Sequence, residues 1–186
     1  MFSTYLDEFS SILRKTIATN SSSEIELDEA YTAVVGQMEE VRKKKSHVYL
    51  VGNGGSSAIV SHAAIDLLNA CGFKAHALTD NSLLTCMAND YGYENVFAQP
   101  LKTLFEEGDV LVAISSSGKS PNIVNACRQV KNKAAAIITF SGFAPDNPLR
   151  ASGDFNFWLE SSDYGIVEIG HSLLFHHITD KLYNKD

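Results

Sequence analysis

Two side chains interrupt an otherwise apolar segment, "VGNGGSSAIVSHAAIDLL" (51–68): His62 and Asp66, four residues apart. In a helix that spacing puts an imidazole and a carboxylate on one face. Their neighbours Ile59, Val60, Ala63, Ala64, Ile65, Leu67 and Leu68 leave little surface for solvent. Charge in such surroundings is costly unless it is paired or bound to a metal. Two readings stay open: a His–Asp hydrogen bond at a domain or subunit surface, or a pair of metal ligands or acid–base groups. A second set lies toward the end of the chain, where Glu168, His171, His176 and His177 sit among apolar residues. Glu168 and His176 are separated by ~12 Å along a helix axis at 1.5 Å per residue. They share one small site only through an irregular helix start or by coming from different subunits.

Two turns have the composition of ligand loops. "AISSSGKSPNIV" (113–124) places four serines and a glycine ahead of Pro121, a residue favoured at the first position of a helix, with Ser120 where an N-cap falls. Hydroxyls leading to the free N–H groups of a helix start make an anion site; the bland alternative is an ordinary polar turn with a good cap. A nucleotide P-loop is excluded, because that motif needs glycine at position 113, which is Ala113. "VGNGGSS" (51–57) matches a dinucleotide fingerprint only in part, since the third glycine position is Ser57. It reads as a tight turn that brings backbone close to a ligand, with Asn53 and Ser56 able to hydrogen-bond.

These turns need a frame. Residues 2–19 and 24–45 read as amphipathic helices. After them "HVYLVG" (47–52), "KAHAL" (74–78), "DVLVAIS" (109–115), "AAAIITFS" (134–141) and "DFNFWLE" (154–160) read as strands. Helices are predicted over 56–71, near 91–105, over 121–131 and over 164–183. Strands alternating with helices imply a parallel sheet covered on both faces. Ligands of such sheets sit at the carboxyl ends of the strands, where both turns fall.

Composition narrows the class. The chain has 186 residues, enough for one domain, and 45% are hydrophobic, with ten Phe and seven Tyr to build a core. A formal net charge of −7 argues against a nucleic-acid binder but not against a small phosphorylated ligand held by local N–H groups. Cys71, Cys86 and Cys127 have no close pair and read as thiols in a reducing compartment. No signal peptide and no apolar run of the ~20 residues needed to span a membrane is read here. The expected location is the cytoplasm.

Taken together, "GNGGSSA", "ANDYGYENVF", "AISSSGKSPN", the two N-terminal helices and the histidine-bearing last helix resemble the sugar isomerase (SIS) domain, and within it the phosphoheptose isomerases. That family interconverts sedoheptulose 7-phosphate and glycero-manno-heptose 7-phosphate at the start of heptose synthesis for bacterial surface polysaccharide. The resemblance implies an α/β fold: a three-layer α/β/α sandwich with a five-stranded parallel sheet, preceded by two N-terminal helices. It also implies a single domain over 1–186 and a homotetramer with sites between subunits. By the same resemblance Asn53, Gly54, Gly55 and Ser56 contact the sugar phosphate and Asn89 and Asp90 hold sugar hydroxyls. Ser115, Ser116, Ser117 and Ser120 cradle the phosphate.

The resemblance also places one Zn²⁺ per subunit on His62, Asp66, Glu168 and His176, with Glu168 counted among the substrate-binding residues too. Asp66 stands where the family has Glu, and Glu168 where it has Gln. The shorter Asp66 withdraws a base by about an ångström, a shift that can cost ~100-fold. Glu168 adds a charge that strengthens metal binding and repels a phosphosugar. The implied chemistry has Asp66 as base and His176 as acid, with zinc polarising the carbonyl. Two other readings stand beside it. One is a non-catalytic SIS protein that senses phosphosugars or binds a replication initiator; the other is a phosphosugar aldolase or lyase using the same metal. The partner expected in each enzymatic case is a small phosphorylated sugar, with neither nucleic acid nor membrane.

Overall fold

In a computed structural model that describes residues 1–21 and 23–183, the apolar runs form strands and the periodic segments helices. Ser22 and residues 184–186, which belong to the single domain expected over 1–186, lie outside the described residues. The order is α1 (Phe2–Arg14), β1 (Ile17–Asn20), β2 (Glu24–Ile25), α2 (Leu27–Lys44), β3 (His47–Gly52) and α3 (Gly55–Asn69). Then come β4 (Lys74–Ala77), α4 (Asn81–Tyr91), a single 3₁₀ turn (Tyr93–Asn95), α5 (Ala98–Leu104) and β5 (Val110–Ser115). The chain closes with α6 (Pro121–Val130), β6 (Ala136–Ser141), β7 (Phe155–Trp158) and α7 (Tyr164–Tyr183).

The strands lie in the order β2-β1-β7-β6-β5-β3-β4. The five from β4 to β7 are parallel, as expected. The sheet nevertheless has seven strands, because β1 adds antiparallel to β7 and β2 antiparallel to β1. Strand residues alternate between two cores. Val48, Leu50, Val110, Val112, Ile114, Ile138 and Phe140 face α2, α3 and α7. Tyr49, Val51, Leu111, Ala113 and Ile137 face α5 and α6. Burial on both sides is why these strands read as near-continuous apolar runs.

Three element boundaries differ from the sequence reading, the first being the helix expected over 24–45, which begins at Leu27 because Glu24–Ile25 form β2. The helix expected over 2–19 stops at Arg14, and residues 17–20 form β1, whose Ala18 is buried opposite Phe157. Thr16 turns its hydroxyl back onto the Leu13 carbonyl at 2.7 Å, which ends the helix and frees Ile17 for the sheet. The helix expected near 91–105 starts only at Ala98, as α5, and the segment read as leading into it is itself a helix, α4. Asp80 caps α4 by accepting from Leu83 N at 2.9 Å, and Gly92, at φ +81°, breaks the chain before the 3₁₀ turn and α5. Left-handed φ of this kind favours glycine.

One buried group ties fold stability to pH. His171, on α7, is fully buried; its Nε2–H donates to the Ser141 carbonyl at 3.1 Å, and Nδ1 has no partner. Burial outweighs that hydrogen bond and lowers its pKa to about 4. Between pH ~6.5 and 4 the unfolded chain therefore takes up a proton that the folded one refuses. Stability from this site is complete above pH ~6.5 and falls on acidification, by on the order of 3 kcal/mol at pH 4. The measurement is denaturant unfolding across that window for the wild type and His171→Gln. The stability difference should drift by that amount; a pH-independent difference contradicts the assignment.

Candidate active site

The order of the parallel strands reverses between β3 and β5, since the chain runs outward from β3 to β4 and then returns to the other side of β3. Such a switch point opens a crevice at the carboxyl ends of the strands. Here it is lined by Asn53, Gly54, Gly55, Ser56, Ser115, Ser116, Ser117 and Ser120, and by Tyr164 and Glu168 from the start of α7. The structure thus brings together the two turns singled out in the sequence. It adds Tyr164, which no local motif marks. Asn89 and Asp90 do not line the crevice. They lie at the exposed end of α4, where Asn89 Nδ2 donates to Asp90 Oδ1 at 2.8 Å.

The serine turn is built around free donors. Ser120 occupies the N-cap position of α6, yet its hydroxyl makes no cap bond and instead meets Ser115 Oγ at 3.2 Å. Ser116 Oγ is buried without a partner. Buried hydroxyls without partners are rare; in a cleft at a helix start, Ser116 has the place of a donor to a ligand oxygen. The turn is held from behind by residues 142–149: Gly142 N donates to Ser116 O at 2.9 Å and Leu149 N to Gly118 O at 3.1 Å. Gly118 has φ +62°, and a Cβ there would strike the Asn147 side chain, so glycine is required twice over.

No lysine or arginine is among the described residues lining the cleft, so an anion there would be held by N–H and O–H groups alone. The single formal charge is the Glu168 carboxylate. It packs over Gly55, the first residue of α3, closely enough that a Cβ on Gly55 would collide with it. A carboxylate is favourable at a helix N-terminus. The cleft measures about 210 Å³, below the ~300–1,000 Å³ of sites that enclose a whole small-molecule ligand.

The second constellation lies farther along the same helices. His62 Nε2 is 3.3 Å and His176 Nδ1 3.5 Å from Asp66 Oδ2, and the two imidazole rings meet edge to face at 5.0 Å. The opening pair is therefore a triad, completed by a residue more than a hundred positions away. Among the described residues these three are the one group of acidic, histidine or cysteine side chains close enough to hold a metal ion. Bonds of ~2.0–2.1 Å to a tetrahedral zinc place ligand atoms about 3.3 Å apart, close to the two distances to Asp66, and all three ligand atoms lie within 4.8 Å of one another. Two imidazoles and one carboxylate are a donor set that catalytic zinc uses. The triad fits the ion. Glu168, expected as the fourth ligand, is instead in the serine-lined cleft, as the unbroken course of α7 requires. His177 sits edge-on to Tyr31 at 4.6 Å and, like His171, takes no part in either constellation.

With this geometry in place, comparison with known proteins is informative. The SIS domain family matches residues 4–142. A phosphoheptose isomerase from Burkholderia pseudomallei (strain K96243) is 38% identical over 135 residues, covering 69% of this chain and 68% of its own. One from Sulfurimonas denitrificans is 32% identical over 160 residues, covering 79% and 82%. The structure of phosphoheptose isomerase GmhA from Neisseria gonorrhoeae superposes with a TM-score of 0.84 at 26% identity, over 97% of both chains. A doubly wound sugar-isomerase fold is thus shared from end to end. The chain belongs to the SIS-domain family and, within it, to the phosphoheptose isomerases.

The triad makes a direct prediction. Titration calorimetry with Zn²⁺ should show binding by the wild type, and His62→Ala or His176→Ala should weaken it at least ~10-fold, since loss of a ligand costs no less than loss of an outer partner. Unchanged affinity in both variants would place the ion elsewhere.

Proposed function

We propose that the chain interconverts sedoheptulose 7-phosphate and glycero-manno-heptose 7-phosphate at sites shared between copies of itself. One observation carries this reading: a serine-lined cleft and a two-histidine, one-aspartate triad occupy successive stretches of the same helix pair. Large apolar side chains on those helices, Ile65 and Leu68 of α3 and Ile169 and Leu173 of α7, are exposed in the single chain. Their burial in a homotetramer would bring the cradle of one copy to the triad of another. Glu168 of the copy that supplies the cradle then completes the ligand set around one zinc ion per chain.

Aldose–ketose exchange moves a proton between adjacent carbons through an enediol. Both imidazoles face Asp66 Oδ2, which leaves Oδ1 to take the proton from the carbon beside the carbonyl. His176 gives a proton to the carbonyl oxygen as the enediol forms. Return of the first proton from Asp66 to the neighbouring carbon, with transfer of the other hydroxyl's proton to His176, completes the exchange and restores both groups. A zinc ion held by His62, Asp66, His176 and Glu168 of the copy that supplies the cradle would supply Lewis-acid polarisation of the carbonyl. The serine turn orients the substrate by its phosphate, so that binding energy remote from the reacting carbons aligns them. The place proposed for the reaction is heptose synthesis for surface polysaccharide, in the cytoplasm.

Asp66 in place of Glu favours one rival, a sensor that binds the same phosphosugar without turnover. Proton NMR of sedoheptulose 7-phosphate incubated with the protein in deuterated solvent separates the two. The isomerase forms the aldose with deuterium at C2. Asp66→Asn should slow both events by ~10²–10⁴ at equal zinc content, with affinity nearly unchanged. Binding without exchange in the wild type supports the sensor, and absence of binding refutes both.

A further inference from the structure

Between the two turns of the cleft, Asn53 is paired with Asn122, a residue that neither the family resemblance nor the mechanism above uses. Asn122, the second residue of α6, is buried at 1% exposure. Its Nδ2 donates to Asn53 Oδ1 at 2.9 Å, and its Oδ1 accepts from Asn53 Nδ2 at 2.9 Å. The orientation of this ring is determined by a third bond. Ile123 N donates to Asn122 Oδ1 at 3.0 Å, so the oxygen of Asn122 must face the helix start, and the amide of Asn53 follows. Tyr93 then donates its hydroxyl to Asn53 Oδ1 at 3.3 Å. Tyr93 is itself held from α6, where Asn125, one turn beyond Asn122 on the same face, donates to the Glu94 carbonyl at 2.9 Å.

An asparagine amide has two N–H donors and two acceptor lone pairs. Three of the four positions on Asn53 are taken: both lone pairs and one N–H. From this we infer that Asn122 is a positioning residue, which locks Asn53 so that it offers the phosphosugar a single N–H donor and no acceptor. The inference rests on the phosphosugar reading of the cleft. The surrounding serine hydroxyls can donate or accept, but Asn53 selects a ligand oxygen as its partner, whether on phosphate, carbonyl or an accepting hydroxyl. Without Asn122 the amide is free to turn its oxygen toward the ligand, where it would repel that atom.

Three variants and one spectrum test this. In a steady-state assay with sedoheptulose 7-phosphate, Asn122→Leu should raise KM ~10-fold, the worth of one well-placed hydrogen bond, with kcat within about threefold. Asn53→Ala should do the same, and the double variant should be no worse than either single one. Unchanged KM in Asn122→Leu, or multiplication of the two effects, overturns the proposal. Side-chain ¹⁵N–¹H spectra of the substrate-free protein report the lock independently of activity. The two Asn53 Nδ2 protons should exchange with solvent at different rates in the wild type and at similar rates in Asn122→Leu. Identical Asn53 exchange in both proteins would also overturn it. A wild type that fails to bind or convert the sugar phosphate, yet shows the spectral change, refutes the phosphosugar reading and leaves the lock in place.

Discussion

The rise of an α-helix, 1.5 Å per residue, governs this molecule. Helices α3 and α7 lie against one another and run in the same direction, since the first residues of both line the serine cleft and later residues of both form the triad. From Gly55 to Asp66 the axis advances ~16 Å, and from Glu168 to His176 ~12 Å. Neither distance can shrink, because the inner faces of both helices are core: Val60, Ala63, Ala64 and Leu67 on one, Ile166, Val167, Leu174, Phe175 and Ile178 on the other. Unwinding either to join the two constellations would expose that apolar surface, at ~25 cal/mol per Å². The assembly proposed above would join them at no such cost, and would bury the exposed apolar side chains Ile65, Leu68, Ile169 and Leu173 as it did so.

Among the described residues no cationic side chain lines the cleft, so an anion in the place proposed for it would meet only N–H and O–H groups. Binding through helix-start N–H groups and hydroxyls leaves the electrostatics to short-range, oriented dipoles. Such a site discriminates by geometry, and both of its turns are held from outside. The turn at 115–120 is fastened from the 142–149 segment, and the turn at 53–56 is fastened from α6. Because α6 continues the serine turn, the Asn53–Asn122 pair also ties the two turns to one another above β3 and β5.

Much of this was legible in the chain. Strand–helix alternation gave the parallel core because burial on both faces leaves apolar runs. The glycine and serine turns declared themselves by composition, and His62 and Asp66 by helical spacing. What escaped notice depends on partners distant in sequence. Ile17–Asn20 continues a helical pattern locally and becomes a strand only because β7, far along the chain, offers an edge. Asn122 after a proline reads as a helix-start residue, and its pairing with Asn53 has no local signature. Tyr164 looks like the opening of a helix, and only the fold turns it into a wall of the cleft. Glu168 was placed in the cleft and among the metal ligands alike; helix geometry already argued against both within one copy.

The central claim, that catalysis needs the cradle of one copy and the triad of another, is most directly tested by subunit complementation. Glu168→Ala leaves the triad whole, and Asp66→Ala leaves the cradle whole. Each variant alone should lack isomerase activity on sedoheptulose 7-phosphate. Dissociating the two variants, mixing them and reassembling them should restore a fraction of wild-type activity, because some sites then pair an intact triad with an intact Glu168. No recovery, in mixtures shown by native mass spectrometry to contain both variants in one assembly, would contradict the shared site.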